Sequence, residues 1–152
     1  MIAPFLDALL DPKHLVLDLR GSTASEAVWE IVQLLQDSGE LRHAEKFFEA
    51  VMTREENSST VANGGVAFPH ARTDLVDQLL VGIGRSTKGV SFGAEEQLAH
   101  LIFVIAVPQQ MVNDYLICVG SLARVLNHDE MREALLAAAT PAEFIERLRA
   151  GS

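Results

Sequence analysis

The sequence predicts one α/β domain over its 152 residues, with a mixed β-sheet and helices on both faces of that sheet. Two observations carry this prediction. Segments with strand character alternate along the chain with segments of helical periodicity. One strand segment, LIFVIAV at Leu101–Val107, is an unbroken apolar run that ends at Pro108. Such a run is typical of a strand buried on both faces, so we expect it at the centre of the sheet.

The remaining strands are predicted from short runs rich in Leu, Val and Ile that end at turn-forming residues. These runs are His14–Leu19, Gly65–Phe68 and Gln78–Gly84. A loop is expected after the second of them, because Pro69 cannot donate a hydrogen bond to a sheet.

Five helices are predicted from apolar residues at helical spacing and from capping signals. A capping box of Thr23 and Glu26 opens the first helix, which runs to Ser38–Gly39. The other four are a helix from Arg42 to about Glu55, one capped by Asn113 that runs through Leu126, one opened by Asp129, and a last one behind Thr140-Pro141-Ala142-Glu143.

The charge balance restricts the classes of partner. Twelve Lys and Arg residues stand against 21 Asp and Glu residues, which gives a net charge of -9 at pH 7. This balance disfavours nucleic acid and anionic membranes and suits a protein partner with a basic face. The single Cys118 excludes an internal disulfide, and the N-terminus has neither a basic leader nor an apolar span. We therefore expect a cytoplasmic protein with no direct membrane insertion.

One short segment, NGGVAFPHAR at Asn63–Arg72, points to chemistry. Gly64 and Gly65 permit a turn whose amides could converge on an anion. Beyond Pro69, the strand should end with His70 at the rim of the sheet, where α/β folds usually bind ligands. A neutral imidazole can accept a phosphoryl group if cations neutralise the phosphate.

Arg72 and Arg54 are the candidate cations for this task. The same residues also allow an ordinary interpretation. His70 can be a surface residue without a chemical role, the two glycines can form a plain hairpin, and Arg54 with Glu55 can be an exposed ion pair of little energetic weight.

The longer run REENSSTVANGGVAFPHAR, Arg54–Arg72, resembles the active-site segment of IIA domains of the phosphoenolpyruvate-dependent sugar phosphotransferase system. The likeness is to the fructose/mannitol type, which includes the nitrogen-regulatory IIA proteins, and it extends over nearly the whole chain. It implies a phosphorylated histidine at His70, an active-site arginine at Arg54 and a supporting acid at Glu55. It also implies phosphoryl transfer from the carrier HPr, or its nitrogen-branch relative, to a IIB domain or a regulated target. Neither a metal nor a cofactor is expected.

The sequence departs from this family at one place. Members generally carry a second histidine at the start of the helix after the LIFVIAVP-like strand, and that place falls on Tyr115. A phenol donates one hydrogen bond but stays neutral near pH 7, whereas a second imidazole can become a cation. Tyr115 is thus expected either to face His70 and assist it less well, or simply to pack.

The resulting hypothesis is a stand-alone IIA phosphocarrier, more in keeping with a regulatory role than with transport. Two other classes stay open. A binding module could keep the fold and use the His70 surface without covalent chemistry. A hydrolytic enzyme would require a Ser or Cys companion for His70 that the sequence does not display.

Overall fold

The computed structural model describes residues 4–57, 59–62, 64–93 and 96–151. Within these residues a six-stranded mixed sheet carries helices on both faces, which confirms the predicted class. The strands are β1 (Leu15–Val16), β2 (Val61–Ala62), β3 (Val66–Ala67), β4 (His70–Thr73), β5 (Leu80–Phe92) and β6 (Gln97–Pro108). The helices are α1 (Pro4–Leu9), α2 (Ala24–Asp37), α3 (Ala44–Asn57), α4 (Val112–Leu126), α5 (Asp129–Leu136) and α6 (Pro141–Ala150).

The sheet is built around β6. Its path runs β1-β5-β6-β3-β2, and β4 lies beside β6 further along the side that β3 occupies. The pairs β1–β5, β3–β6 and β4–β6 are parallel, whereas β5–β6 and β2–β3 are antiparallel. The central position predicted for the LIFVIAV run is therefore correct.

Side chains of β6 alternate between two hydrophobic cores, as a strand with period two requires. Leu101, Phe103, Ile105 and Val107 belong to a core that includes residues of α1, α4, α5 and α6. Ile102, Val104 and Ala106 belong to the other core, with α2 and α3. All seven side chains are 0–1% exposed, which explains why the run contains no polar residue.

The two long strands extend well beyond their predicted ends. Residues 85–91, most of which are polar, were left outside the predicted strand, yet they continue β5 past a register shift between Arg85 and Val90. The antiparallel partner of this extension is the start of β6, where Val90 lies opposite Ala99. An apolar run identifies only the doubly covered part of such a hairpin, because its outer arm needs no continuous hydrophobicity.

The first strand is shorter than predicted. Only Leu15–Val16 pair with β5, and His14 lies in a 3₁₀ turn that spans Pro12–His14. Contact with β5 continues through one backbone hydrogen bond, from Leu19 N to Arg85 O at 2.9 Å. The alternating leucines therefore predict a strand here correctly, but the strand is shorter than their pattern suggests.

A buried arginine explains part of the polar sequence of β5. Arg85 is 6% exposed, and its guanidinium donates to the carbonyl oxygens of Leu17, Leu135 and Ala138. It also forms an ion pair with Asp18, which is largely exposed. Arg85 therefore connects the end of α5 to the segment that follows β1, a role that sequence patterning does not indicate.

The starts of the helices follow the capping signals in part. Thr23 and Glu26 form the complete capping box that was predicted for α2. Helix α3 begins at Ala44 rather than at Arg42, because His43 adopts a left-handed conformation with φ 55°, which no α-helix accommodates. The amide of Ala44 is capped instead by the Gln36 side chain at 3.0 Å.

The predicted cap of α4 is wrong. Met111 occupies the N-cap position without a side-chain hydrogen bond, and Asn113 lies inside the first turn. The helix opened by Asp129 is confirmed.

Thr140 caps α6 as predicted by accepting a hydrogen bond from the Glu143 amide. The Glu143 carboxylate, however, accepts from Ala139 N instead of closing the box on Thr140. Across the part of the chain that the structure describes, no helix has both the length and the apolar character needed to cross a membrane.

Candidate functional site

His70 lies within the sheet and not in a loop beyond it, so that part of the sequence prediction is wrong. The chain leaves β3 at Phe68 and Pro69, but Pro69 O still accepts a hydrogen bond from Ile105 N at 2.9 Å. Strand β4 then begins at His70, in parallel register with Ile105. A proline interrupts donation to β6 without turning the chain away, since its carbonyl remains available.

Both ring nitrogens of His70 are engaged, and the partners define the tautomer. Nδ1 lies 2.8 Å from the carbonyl oxygen of Phe68, which can only accept. Nε2 lies 2.7 Å from Nε of Arg54, which can only donate. The neutral ring therefore carries its proton on Nδ1 and a lone pair on Nε2.

Arg54 reaches His70 from the last turn of α3, and its side chain is exposed. Burial lowers the pKa of His70 below its ordinary 6.5, the Phe68 carbonyl opposes this, and the Arg54 charge lowers the pKa further, against an opposing effect of Glu55. The net direction is downward, which favours the neutral imidazole at pH 7.

A cavity of about 480 Å³ lies in front of this histidine. Its polar lining consists of two arginines, the imidazole and a phenol: Arg54, Arg72, His70 and Tyr115. Small or apolar residues complete the lining: Ala50, Ala71, Val107 and Val112. Arg72 is two residues beyond His70 in β4 and therefore projects from the same face of the strand. The cavity thus presents cations and one nucleophilic nitrogen on an otherwise apolar surface.

Tyr115 faces His70, which is the first of the two alternatives that the sequence left open. The two rings have centroids 4.7 Å apart and an interplanar angle of 32°. Burial raises the pKa of Tyr115 above 10.0, so the phenol stays protonated at neutral pH. The Tyr115 amide is not available to an anion, because it donates to Met111 O at 3.0 Å. Any help from this residue must come from its side chain.

Glu55 does not point into the cavity, and it is not part of an exposed ion pair. It is 5% exposed, and its carboxylate accepts from the Thr60 amide at 2.8 Å and the Thr60 hydroxyl at 2.7 Å. Thr60 was not among the predicted site residues. The only signal for Thr60 in the sequence is the pair Ser59-Thr60 within the run Arg54–Arg72, and this pair does not indicate a contact with Glu55.

The Gly64-Gly65 turn is not beside His70, contrary to the sequence prediction. Both glycines have positive φ, at 85° and 77°, and they close the β2–β3 hairpin. Gly65 O accepts from His100 N, five positions before the partner of His70 along β6, which is a separation of roughly 16 Å. The glycines serve a hairpin, and they do not cradle an anion at this cavity.

Among the residues that the structure describes, no group of three or more His, Cys, Asp or Glu side chains has the arrangement needed to hold a metal ion. Cys118, one helical turn beyond Tyr115, is buried, and burial raises the pKa of its thiol to about 12. The chemistry of the cavity therefore centres on the imidazole and the two guanidinium groups.

The fold and this site define a class of protein: a mixed α/β domain with one histidine and two arginines at a surface cavity. Comparison with known proteins identifies the family. The family model described as "Phosphoenolpyruvate-dependent sugar phosphotransferase system, EIIA 2" matches residues 8–151. The chain belongs to this family.

Two relatives show the range of proteins in which such a chain occurs. The fructose-specific EIIA component of Haloferax volcanii is 33% identical over 118 residues, 77% of each protein. The fructose-specific EIIABC component of Bacillus subtilis is 32% identical over 136 residues, 88% of this chain. The chain spans only about a fifth of the length of the Bacillus protein, 21%.

A solved structure of similar fold is the nitrogen regulatory protein IIA-Ntr from Neisseria meningitidis. It superposes with a TM-score of 0.83 and 28% identity, and the alignment covers 95% of this chain and 99% of that one. The likeness therefore extends to two relatives named as fructose-specific components and to one named as a nitrogen regulatory protein.

Proposed function

We propose that this chain is a phosphocarrier or regulatory IIA component of the phosphotransferase system, and that Nε2 of His70 accepts the phosphoryl group. The observation that carries the proposal is the pair of hydrogen bonds on the imidazole. They leave the lone pair on Nε2, at the cavity that holds both arginines. A lowered pKa keeps that lone pair unprotonated at neutral pH.

The transfer step balances without any proton movement. The Nε2 lone pair attacks phosphorus, a nitrogen–phosphorus bond forms, and the bond from phosphorus to the donor's leaving atom breaks with its electron pair. The proton on Nδ1 stays in its bond to Phe68 O, which also stabilises the positive charge that develops on the ring.

Arg54 has to leave Nε2 before the attack, since its Nε–H occupies the reacting lone pair. A small rotation of the side chain lets its planar guanidinium face the phosphoryl oxygens instead. Arg72 lines the same cavity and supplies a second positive charge. The acceptor and its neutralising groups are thus assembled on α3 and β4.

Exposed apolar side chains on α4 suit a protein partner. Leu116 and Ile117 follow Tyr115 on α4 and are 59% and 50% exposed. Exposed apolar side chains beside a polar site are typical of surfaces that bind other proteins. The proposed donor is HPr or its nitrogen-branch relative, and the proposed acceptor is a IIB domain or a regulated target. Such partners act in the cytoplasm, which is where we place this protein.

The test is phosphorylation with purified components. The wild-type chain is incubated with phosphoenolpyruvate, enzyme I and either HPr or its nitrogen-branch relative, and intact mass is measured at alkaline pH. We expect one phosphoryl adduct on the wild type and none on His70→Ala. His128→Ala is the matched control, because His128 is exposed at the N-cap of α5, and we expect it to be labelled normally.

Two results would contradict the proposal. One is an unlabelled wild type under conditions that label a known IIA protein, which would favour a binding module. The other is full labelling of His70→Ala, which would place the acceptor elsewhere. Preference for one donor then distinguishes transport from nitrogen regulation.

A further inference from the structure

A closed circuit of hydrogen bonds connects the end of α3 to both nitrogens of His70. It starts at Glu55, whose carboxylate is 5% exposed and is held by Thr60 through the amide and the hydroxyl. Neither residue lines the cavity in front of His70. Any influence on the imidazole must therefore pass through other groups.

The next links run through the β2–β3 hairpin. Thr60 O accepts from Phe68 N at 3.3 Å, which extends the hairpin by one residue pair beyond Val61 and Ala67. Phe68 O then accepts from Nδ1 of His70 at 2.8 Å. The carbonyl that defines the tautomer thus belongs to a residue whose amide is held by Thr60.

Arg54 closes the circuit on the other side. It precedes Glu55 in the chain and donates to Nε2 of His70 at 2.7 Å. The two nitrogens are consequently oriented by one helix end, directly through Arg54 and indirectly through the side chain next to it. A displacement of Glu55 at this helix end would therefore act on both links, whereas a displacement of Thr60 would act on the link through Phe68.

We propose that Glu55 and Thr60 are positioning residues which, acting through Phe68, hold His70 as the Nδ1–H tautomer with Nε2 turned to the cavity. The consequence for phosphoryl transfer rests on the proposed function. The tautomer itself is a property of the folded chain and can be measured without any donor. Without this hold, a neutral imidazole populates both tautomers, and only one of them leaves Nε2 able to attack.

Two variants weaken the circuit at different links. Thr60→Val removes the hydroxyl group of a half-buried residue and keeps its branched shape. One of the two hydrogen bonds to Glu55 is therefore lost, and the amide bond remains, without a large change in packing. Glu55→Gln keeps an acceptor for the Thr60 amide but removes the charge. Thr60→Ser restores the hydroxyl and tests rescue. Thr53→Val is the matched control, because Thr53 is exposed on α3, the helix that also carries Glu55.

The primary measurement is the ¹⁵N chemical shift of the His70 imidazole above its pKa, which reports which nitrogen carries the proton. We expect the Nδ1–H form to predominate in the wild type, Thr53→Val and Thr60→Ser. Thr60→Val and Glu55→Gln should show a larger Nε2–H fraction than the wild type, while Arg54 and the Phe68 carbonyl still favour the Nδ1–H form. If Glu55 and Thr60 only stabilise the fold, these variants should have a lower urea midpoint, but the tautomer of His70 in the folded state should be unchanged.

The second measurement is phosphoryl acceptance. If only the Nδ1–H form reacts, the maximal rate should fall in proportion to its measured fraction, and the apparent KM for the donor protein should stay unchanged. Wild-type tautomer populations in folded Thr60→Val would overturn the proposal. Should Glu55→Gln fail to fold, Thr60→Val and its serine rescue decide alone.

The two proposals fail in different ways. If the wild type accepts no phosphoryl group while the tautomer shifts as described, the proposed function is wrong and the positioning circuit stands. If phosphorylation is normal in every variant and no tautomer changes, the circuit is wrong and the phosphocarrier stands.

Discussion

Arg54 donates through Nε to Nε2 of His70 over 2.7 Å, so the guanidinium covers the one ring nitrogen that bears a lone pair. This contact orients the imidazole. It also opposes attack on phosphorus, because the lone pair cannot serve both partners. Arg54 therefore has two positions in the proposed reaction, one on the nitrogen and one on the phosphoryl oxygens.

Replacement of Arg54 should slow phosphoryl acceptance. Arg54→Lys keeps a positive charge but loses the planar fork, and a hydrogen bond to a charged group contributes about 1.5–3 kcal/mol. We expect the rate of acceptance to fall roughly 10- to 100-fold, with Arg54→Gln at least as slow. The measurement is the initial rate of labelling from the phosphorylated donor.

Arg42→Lys is the matched control for that experiment. Arg42 is also exposed, but it lies before the opposite end of α3, roughly 18 Å away along the helix axis. Its replacement should leave the rate unchanged. If both Arg54 variants are labelled at the wild-type rate, Arg54 is an ordinary surface residue that happens to contact the imidazole.

The pH dependence of the site follows from the lowered pKa of His70. Burial is the largest cause of this shift, and the Arg54 charge adds to it. With a constant supply of phosphorylated donor, acceptance should decline at a lower pH than it would for a histidine with the ordinary pKa of 6.5. An NMR titration of His70, compared with a histidine in an unstructured peptide, measures the shift directly.

The same shift predicts how stability changes in acid. The unfolded chain binds a proton at the ordinary pKa of histidine, near 6.5, while the folded chain resists it, so unfolding becomes easier as the pH falls from 6.5 to the folded-state pKa. His70→Gln removes this contribution. Urea unfolding at several pH values should therefore show a smaller acid-side loss in the variant, and an equal loss in both proteins would contradict the lowered pKa.

The Gly64-Gly65 turn should matter for stability and not for phosphoryl transfer. Gly65→Ala places a side chain at φ 77° and brings its Cβ within 3.2 Å of the His100 ring, so we expect a loss of about 1–2 kcal/mol in the free energy of unfolding. Phosphoryl acceptance should be unchanged. Gly120→Ala is a control of opposite sign, because Gly120 is helical with open space around it. Slower acceptance in folded Gly65→Ala would restore the anion-binding role.

The general fold was predictable because it depends on hydrophobic periodicity. The β6 run and the α2 capping box gave the central strand and the first long helix correctly. Strand β4 was not predictable, because Pro69 predicts an end to the strand, and only the parallel register with β6 shows that pairing resumes at His70. The outer arms of β5 and β6 were missed for a different reason: they pair locally as a hairpin, with Phe92 opposite Gln97, but their residues do not form a continuous apolar run.

The candidate site was predictable in part. The separation of Arg54 and His70 by 16 residues gave no geometric reason to expect a contact. Arg54 was a candidate because of its charge, and the family resemblance then implied that it belongs to the active site. Glu55 was predicted as a supporting acid, but the sequence did not indicate that its carboxylate turns away from the cavity towards Thr60. A buried carboxylate and an exposed one look the same in sequence, and Thr60, which holds it, is an unremarkable loop residue.

Tyr115 is the place where this chain differs from the family pattern, and its ring lies against His70 with centroids 4.7 Å apart. The hydroxyl makes no hydrogen bond to the protein within the described residues, so it can donate to a phosphoryl oxygen. It remains neutral, because burial raises its pKa, and it therefore cannot offset the charge of a phosphate dianion. Phosphate on His70 should be held less firmly here than in relatives with a second histidine.

Three variants separate the contributions of Tyr115. Tyr115→Phe keeps the ring contact and removes one hydrogen bond, so acceptance should slow about fivefold, as expected for roughly 1 kcal/mol. Tyr115→Ala also removes the ring contact and should slow it further. Tyr115→His should lengthen the lifetime of the phosphoprotein, most clearly below pH 7, where the new imidazole is protonated. The measurement is intact mass over time, which gives the rate of acceptance and the lifetime of the phosphoprotein. If Tyr115→Phe and Tyr115→His both behave as the wild type, Tyr115 is only a packing residue.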